Sequence, residues 1–178
     1  MTVIAALKAR GLVWVAGDAA FMQGWDLSIR PDEKVFYCKQ FLIGVAGSPR
    51  ANNLLKWSFD PPQPQTNNLT EYMNTSFLNG VRKCFTDGGF TEKDNDVESY
   101  SSEMLVAILG RLYEIDSGYQ VIEVPEYASI GTGSDVALGA LYATEGMGPM
   151  RRLQIALESA EKFNGAVRGP FQILRSRK

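Results

Sequence analysis

The sequence contains no histidine, few cysteines, no strong charge excess and no long apolar run. The absence of histidine excludes Ser-His-Asp and Cys-His catalysis, histidine zinc sites and any imidazole general base. A hydrolase built from this chain would have to move protons with another amine or with a carboxylate. The two cysteines, Cys38 and Cys84, form neither a disulfide framework nor a metal-ligand spacing.

Charge and hydropathy exclude further classes of partner. The 18 Lys and Arg residues are balanced by 20 Asp and Glu residues, so no basic field favours nucleic acid. No apolar run approaches the roughly 18 residues of a membrane-spanning helix, and the charged and apolar regions of a signal peptide are absent. We therefore expect no nucleic-acid or membrane partner and a cytoplasmic location. The 178 residues, 45% of them hydrophobic, are expected to form one domain over residues 1–178.

The pattern of apolar runs and turn residues predicts strands, then helices, then strands, then helices. Residues 3–8 and 12–16 form one predicted hairpin, and residues 35–38 and 41–45 form a second one. A short helix is predicted through 54–57, capped by Ser48 or Asn52, and is followed by an exposed connection over 60–65, a helix over 70–84 and a loop or strand approach over 91–103. A meander of strands is then predicted over 104–109, 111–115, 119–124 and 127–130. The last predicted elements are helices over 134–145 and 150–163 and a strand over 171–174. This order favours an α+β fold of two stacked antiparallel sheets between helical layers over a parallel βαβ fold.

Thr2 directly follows Met1 and opens the first predicted strand. Because the second residue is small, we expect Met1 to be removed. Thr2 would then carry a hydroxyl nucleophile together with a free α-amine, whose reference pKa of about 7.7–8.0 lets it accept a proton near neutral pH. A threonine at this position is common, so the position alone does not indicate catalysis.

Three further features lie at the ends of predicted strands. Asp18 follows the second strand, Lys34 precedes the third, and Gly44-Val45-Ala46-Gly47 forms a turn from strand to helix. A lysine beside the α-amine would lower the pKa of that amine and stabilise an alkoxide on the threonine. Asp18 would orient this lysine, and the N–H of Gly47 would bind an oxyanion. Each feature alone is explained by a turn, a solvated side chain or a helix entry, so the hypothesis depends on their joint order.

The spacing of these residues resembles that of the proteasome β-subunit family, in particular of the bacterial HslV-type subunit. The stretch from Thr2 through Gly11 and Asp18 to Lys34 runs without a gap against the family pattern, and the turn ending at Gly47 matches the family's oxyanion turn. A second block, residues 110–116 followed by residues 127–134, is similar to the family segment that precedes a helix.

Two departures from the family pattern stand in the second half of the chain. Thr132 occupies a position where the family usually has serine, and its hydroxyl can still form a hydrogen bond near the nucleophile. The late Asp-x-x-Ser pair of many proteasome β subunits is absent from residues 162–169, as it is in HslV-type subunits. This absence leaves the positioning of the α-amine open.

The resemblance implies a four-layer αββα sandwich of the N-terminal-nucleophile hydrolase fold. It further implies homo-oligomeric rings around a proteolytic chamber, an unfolded polypeptide as substrate and an ATP-dependent unfoldase as partner. The family's site residues fall on Thr2, Asp18, Lys34 and Gly47, with Thr132 as a supporting hydroxyl. Val45 lies beside the turn that lines the family's specificity pocket, which would suit apolar side chains. Peptide hydrolysis of this type requires no cofactor, and the binding of a monovalent cation is left open.

Three alternatives to a threonine-type endopeptidase remain. The chain could be a catalytically inactive ring subunit of proteasome type, which a retained Met1 would favour. It could be an amidohydrolase of the same fold that acts on small molecules. A plain binding module is the third alternative.

Overall fold

The computed structural model describes residues 2–64 and 68–177. The predicted removal of Met1, and Gln65 at the end of the predicted connection, lie outside the described residues. In chain order the strands are β1 (Ile4–Ala9), β2 (Leu12–Gly17), β3 (Ala20–Gln23), β4 (Asp26–Ile29), β5 (Val35–Cys38), β6 (Phe41–Gly47), β7 (Glu92–Asp94), β8 (Val97–Ser99), β9 (Ser102–Ile108), β10 (Arg111–Ile115), β11 (Val121–Val124), β12 (Tyr127–Ile130) and β13 (Gln172–Arg175). The helices are α1 (Pro49–Trp57), α2 (Leu69–Tyr72), α3 (Leu78–Asp87), α4 (Ser134–Ala143) and α5 (Pro149–Phe163), and a π-helical turn over Met73–Phe77 joins α2 to α3.

Two antiparallel sheets form the centre of the molecule. The first has the strand order β12-β1-β2-β13, and the second has the order β11-β10-β9-β6-β5. The hairpins β3–β4 and β7–β8 form two small separate sheets. Along the described parts of the chain, no helix is long and apolar enough to cross a membrane.

The alternation of side chains along the strands explains the layers. In β1, Ala5 and Leu7 pack in one cluster with residues of α4 and α5, whereas Ile4 and Ala6 pack in another with residues of the second sheet. Successive residues of a strand point to opposite faces, so both faces of β1 are covered. Strand β6 is covered by helices as well, because its Ile43 packs with residues of α1 and α3. The result is a four-layer αββα sandwich, which confirms the predicted fold class.

Several predicted elements differ in detail. Helix α1 is longer than predicted, because Ser48 caps it and Pro49 begins it; the Ser48 Oγ accepts from the N–H of Arg50 at 3.2 Å. Strand β12 leaves the predicted meander and pairs with β1 of the other sheet. The segment predicted as a loop or strand approach contains β7 and β8. The hairpin of β3 and β4 was not predicted.

The strand pairings bring the ends of four strands to one edge of the sandwich. In the β1–β2 hairpin, Ile4 lies opposite Gly17, so the residues just before β1 and just after β2 are neighbours. In the β5–β6 hairpin, Val35 lies opposite Gly44, and the Val45 N–H donates to the carbonyl of Lys34 at 2.9 Å. The two hairpins also meet, because a Cβ at Gly17 would lie 3.0 Å from Cγ2 of Val35 and 3.7 Å from Cβ of Lys34. The residues flanking these strands therefore lie close together.

Candidate active site

Thr2 is buried at this edge, with 2% of its surface exposed. Its Oγ1 donates a hydrogen bond to Asp18 Oδ1 and accepts one from Lys34 Nζ at 2.5 Å. The three side chains predicted to act together are thus in direct contact. This contact depends on the β1–β2 hairpin, since Asp18 N–H also donates to the carbonyl of Val3 at 3.4 Å.

Asp18 is a buried carboxylate that accepts several hydrogen bonds. Oδ1 accepts from the N–H of Val3 at 3.1 Å, and Oδ2 accepts from the N–H groups of Ala20 at 3.1 Å and Arg168 at 3.3 Å. The side chain of Asp18 has no exposed surface and forms an ion pair with Lys34 Nζ at 2.9 Å. Backbone donors and a cation together compensate for burying the charge of the carboxylate.

Lys34 uses its three N–H donors on three acceptors. Besides Thr2 and Asp18, Nζ donates to the carbonyl oxygen of Ala20 at 2.6 Å. The side chain of Lys34 is 19% exposed. Burial lowers the pKa of the Lys34 ammonium, while the charge and hydrogen bond of Asp18 act in the opposite direction. The arrangement fixes a cation against the hydroxyl of Thr2.

Thr132 holds the backbone of Thr2. Its Oγ1 accepts from the backbone N of Thr2 at 3.3 Å and also lies 3.4 Å from the carbonyl oxygen of Thr2. The N–H of Gly133 donates to the same carbonyl at 3.1 Å. Position 131 requires glycine, because its φ is +88° and a Cβ there would lie 2.6 Å from the carbonyl oxygen of Thr2.

The turn at the end of β6 contributes Gly47, whose backbone admits only glycine without strain. Its φ is +121°, and a Cβ would lie 2.6 Å from the carbonyl oxygen of Ser101 and 2.7 Å from the Cα of Ser102. The N–H of Ser48, the next residue, donates to Ser102 Oγ at 2.9 Å. The turn is therefore held in position by strand β9.

An open cavity lies beside Thr2 and includes both Gly47 and Val45 in its lining. The lining consists of Thr2, Ala19, Ala20, Phe21, Arg30, Asp32, Lys34, Val45, Gly47, Ser48, Pro49 and Asn52. The segment after β4 forms one wall of the cavity, and in this segment Arg30 and Asp32 form an ion pair at 2.6 Å. The lining therefore brings apolar, polar and charged side chains together next to the hydroxyl of Thr2.

Sequence reasoning missed residues that support the predicted ones. Asn164 Nδ2 donates to the carbonyl of Thr132 at 2.7 Å, and Asn164 Oδ1 accepts from the N–H of Ala166 at 2.9 Å. Together with the Arg168 N–H that reaches Asp18, this late loop contacts both sides of the candidate site. It occupies the segment from which the Asp-x-x-Ser pair is absent. The only available sequence signal was the position of the loop after the last predicted helix.

No group of three or more Cys, Asp and Glu side chains among the residues that the structure describes is arranged to hold a metal ion. Cys38 and Cys84 are free thiols. Burial raises the pKa of both thiols.

Comparisons with known proteins place this geometry in a structural context. No protein-family model matches the sequence, and a search of the curated proteins found no significant match. Among solved structures, BPH of Thiobacillus denitrificans in complex with epoxomicin has a TM-score of 0.82 at 18% identity, over 98% of both chains. A second structure of BPH from the same organism has a TM-score of 0.83 at 18% identity, over 98% of this chain and 97% of its own.

Two other solved structures are similar over nearly the whole chain. Eukaryotic HslV from Trypanosoma brucei has a TM-score of 0.69 at 17% identity, over 97% of this chain and 98% of its own. Anbu, an ancestral β-subunit from Yersinia bercovieri, has a TM-score of 0.69 at 16% identity, over 98% of this chain and 81% of its own. The chain therefore has the fold of proteasome-like proteins, and the predicted resemblance is confirmed at the level of the fold.

Proposed function

We propose that this chain is a threonine-type endopeptidase subunit in which Thr2 is the N-terminal nucleophile after Met1 has been removed. The observation that supports this most strongly is the contact of Thr2 Oγ1 with both Lys34 Nζ, at 2.5 Å, and Asp18 Oδ1. A fixed cation beside a hydroxyl stabilises the negative charge that develops on the oxygen during attack, and the free α-amine of Thr2 would act as the base.

In the proposed reaction, Thr2 Oγ attacks the carbonyl carbon of the scissile peptide bond. The Oγ proton passes to the free α-amine of Thr2, which later delivers a proton to the leaving amine as the C–N bond breaks. The product is an ester between Thr2 and the acyl part of the substrate. A water molecule then adds to this ester, and the hydroxyl of Thr2 is regenerated as the carboxylic acid leaves.

Two groups stabilise the charge that develops during the attack. The ammonium of Lys34 lies against the oxygen of Thr2, where negative charge appears first, and Asp18 keeps this lysine oriented. The N–H of Gly47, in the turn that lines the cavity, serves the oxyanion of the tetrahedral intermediate. Thr132 Oγ1 holds the nitrogen of Thr2 within the site.

The proposed assembly is a homo-oligomeric ring in the cytoplasm whose subunits consist of the single domain 1–178. Its substrates would be unfolded polypeptides, delivered by an ATP-dependent unfoldase, and it would need no cofactor for hydrolysis. Val45, which is 4% exposed in the lining of the cavity, would contact the substrate side chain. The support for this assembly is the fold shared with HslV and Anbu, whose sequences differ widely from this one.

The proposed function is tested with Thr2→Ala and Thr2→Ser. We expect Thr2→Ala to abolish hydrolysis of small peptide amides while native mass shows the same oligomer as the wild type. Thr2→Ser should retain part of the activity, since serine keeps the hydroxyl and the α-amine. Turnover of Thr2→Ala at the wild-type level would exclude the mechanism.

The same preparations separate the alternatives. An inactive ring subunit would retain Met1 in its intact mass and assemble into rings. An amidohydrolase would cleave small amides but no protein substrate, and native mass would show no ring. A plain binding module would fail to react with every threonine-directed epoxyketone and boronate. BPH was solved with the epoxyketone epoxomicin, which makes this inhibitor a suitable first probe.

A further inference from the structure

Helix α1 connects the turn at Gly47 to the segment that carries Lys34. Ser48, the residue after the turn, caps α1. One helical turn further on, Asn52 Nδ2 donates a hydrogen bond of 2.7 Å to the carbonyl oxygen of Glu33. Asn52 is 8% exposed and borders the cavity beside Thr2, and its bond to Glu33 is partly buried. The two groups assigned to charge stabilisation are therefore joined through one short helix.

The carbonyl of Glu33 belongs to the peptide unit that begins Lys34. This unit is held by Asn52, and the next carbonyl, that of Lys34 itself, accepts from the N–H of Val45 at 2.9 Å. Lys34 is thus fixed on both sides of its Cα by hydrogen bonds from α1 and β6. The orientation of its Cα–Cβ bond, and with it the reach of Nζ, depends on these two bonds.

The contacts of the Glu33 side chain are more exposed than the Asn52 bond. Lys56 of α1 forms an ion pair with Glu33 Oε2 at 2.8 Å, and Gln172 donates to Oε1 at 3.2 Å. The Glu33 side chain is 48% exposed, and exposed ion pairs of this kind contribute little to stability. The hydrogen bond from Asn52 is the less exposed part of this connection.

The amide group of Asn52 uses only part of its hydrogen-bonding capacity. Its Oδ1 is buried and has no hydrogen-bond partner. Rotating the amide would turn the oxygen towards the carbonyl of Glu33, so the Nδ2 bond determines the orientation. An apolar side chain of similar size would remove this unpaired oxygen, but it would leave the carbonyl oxygen of Glu33 without its donor. The polar contact that asparagine makes at this position is the single hydrogen bond to the carbonyl oxygen of Glu33.

We propose that Asn52 is a positioning residue that sets the place of Lys34 relative to Thr2 and the Gly47 turn; this inference rests on the proposed function. Although Asn52 borders the cavity, its amide oxygen is buried and its amide nitrogen is bound to the carbonyl of Glu33. Asn52 therefore acts through the backbone of Lys34, and its loss changes the rate of the chemical step more than it changes substrate binding. It also changes the accessibility of Lys34 Nζ to reagents, a property that can be measured without turnover.

The test compares Asn52→Leu with Asn53→Leu in the full chain. Asn53 is the next residue of α1 and is exposed, so it provides a matched control. Misplacement by about 1 Å can cost roughly a hundredfold in rate, so we expect kcat of Asn52→Leu to fall about 10- to 100-fold with a change in KM of less than about threefold. Its Tm should fall by no more than a few degrees, because a single hydrogen bond to the carbonyl of Glu33 is lost, and Asn53→Leu should match the wild type in kcat.

A second measurement keeps this inference separate from the proposed function. Acetylation of Lys34 Nζ by an amine-reactive ester, followed by peptide mass spectrometry, should be several-fold faster in Asn52→Leu than in the wild type and in Asn53→Leu. A wild-type chain without turnover would overturn the proposed function, and the acetylation rates would still decide the role of Asn52. Equal acetylation rates, unchanged kcat, or an effect on KM alone would overturn the positioning role.

Discussion

Replacing Lys34 by methionine removes one positive charge from the candidate active site while keeping an unbranched side chain. In the wild-type chain Nζ lies 2.5 Å from Thr2 Oγ1, 2.9 Å from Asp18 Oδ1 and 2.6 Å from the carbonyl oxygen of Ala20. Methionine can donate none of these hydrogen bonds. The variant therefore loses the stabilisation of negative charge on Thr2 and leaves the carboxylate of Asp18 without its cation.

The size of the kinetic effect follows from the distance between Nζ and Oγ1. A full charge on Oγ1 would interact with the ammonium by about 6–7 kcal/mol at an effective dielectric constant of about 20. With roughly half of that charge developed in the transition state, about 3 kcal/mol is lost, which corresponds to a decrease of about 10²-fold in kcat. The free energy of unfolding should fall by about 3 kcal/mol, because a buried ion pair is broken.

The assay measures kcat on a small peptide amide together with the rate of adduct formation with an epoxyketone. Lys83→Met is the control, because Lys83 is 76% exposed and pairs with Asp87 within α3. The control should keep the wild-type rate. Lys34→Met with a kcat within about threefold of the wild type would refute the reasoning, since the loss of transition-state stabilisation would then be well under 1 kcal/mol.

Three further predictions concern the same site. On the alkaline side of its pH profile, kcat/KM should fall at a pH below the ordinary range of lysine pKa values, and this fall should be absent from Lys34→Met. The reason is that burial lowers the pKa of Lys34, so the active ammonium is lost as the pH rises through that lowered pKa. In urea denaturation, Gly47→Ala should lower the free energy of unfolding by about 2–4 kcal/mol, because position 47 has a positive φ and a Cβ there would clash with strand β9. Gly139→Ala, in the open face of α4, should raise the free energy of unfolding by up to about 1 kcal/mol. Thr132→Val should lower kcat about tenfold in the peptide-amide assay through the lost hydrogen bond to the nitrogen of Thr2, and Thr132→Ser should restore it.

The main strands and the positions around Thr2 could be predicted because they depend on local patterns. The β1–β2 hairpin follows from Arg10 and Gly11, which take the positive φ values of 53° and 74° that a tight hairpin turn requires. Thr2 and Asp18 flank the two strands of this hairpin, so their proximity follows from the pairing alone.

Other parts of the structure could not be predicted, for two physical reasons. Strand β4 is exposed throughout and the tip of its hairpin presents Trp25 at 98% exposure, so it lacks the buried face that produces an alternating pattern. Asn52 and Asn164 donate to backbone carbonyls of distant segments. Every residue has a backbone carbonyl, so the sequence of the acceptor carries no signal for such a bond.

The central claim, that Thr2 is a free N-terminal nucleophile, is tested most directly by mass spectrometry before and after treatment with an epoxyketone. We predict an intact mass without Met1, and a single adduct that peptide mapping assigns to Thr2. A retained methionine, no adduct, or an adduct on another residue would contradict the claim.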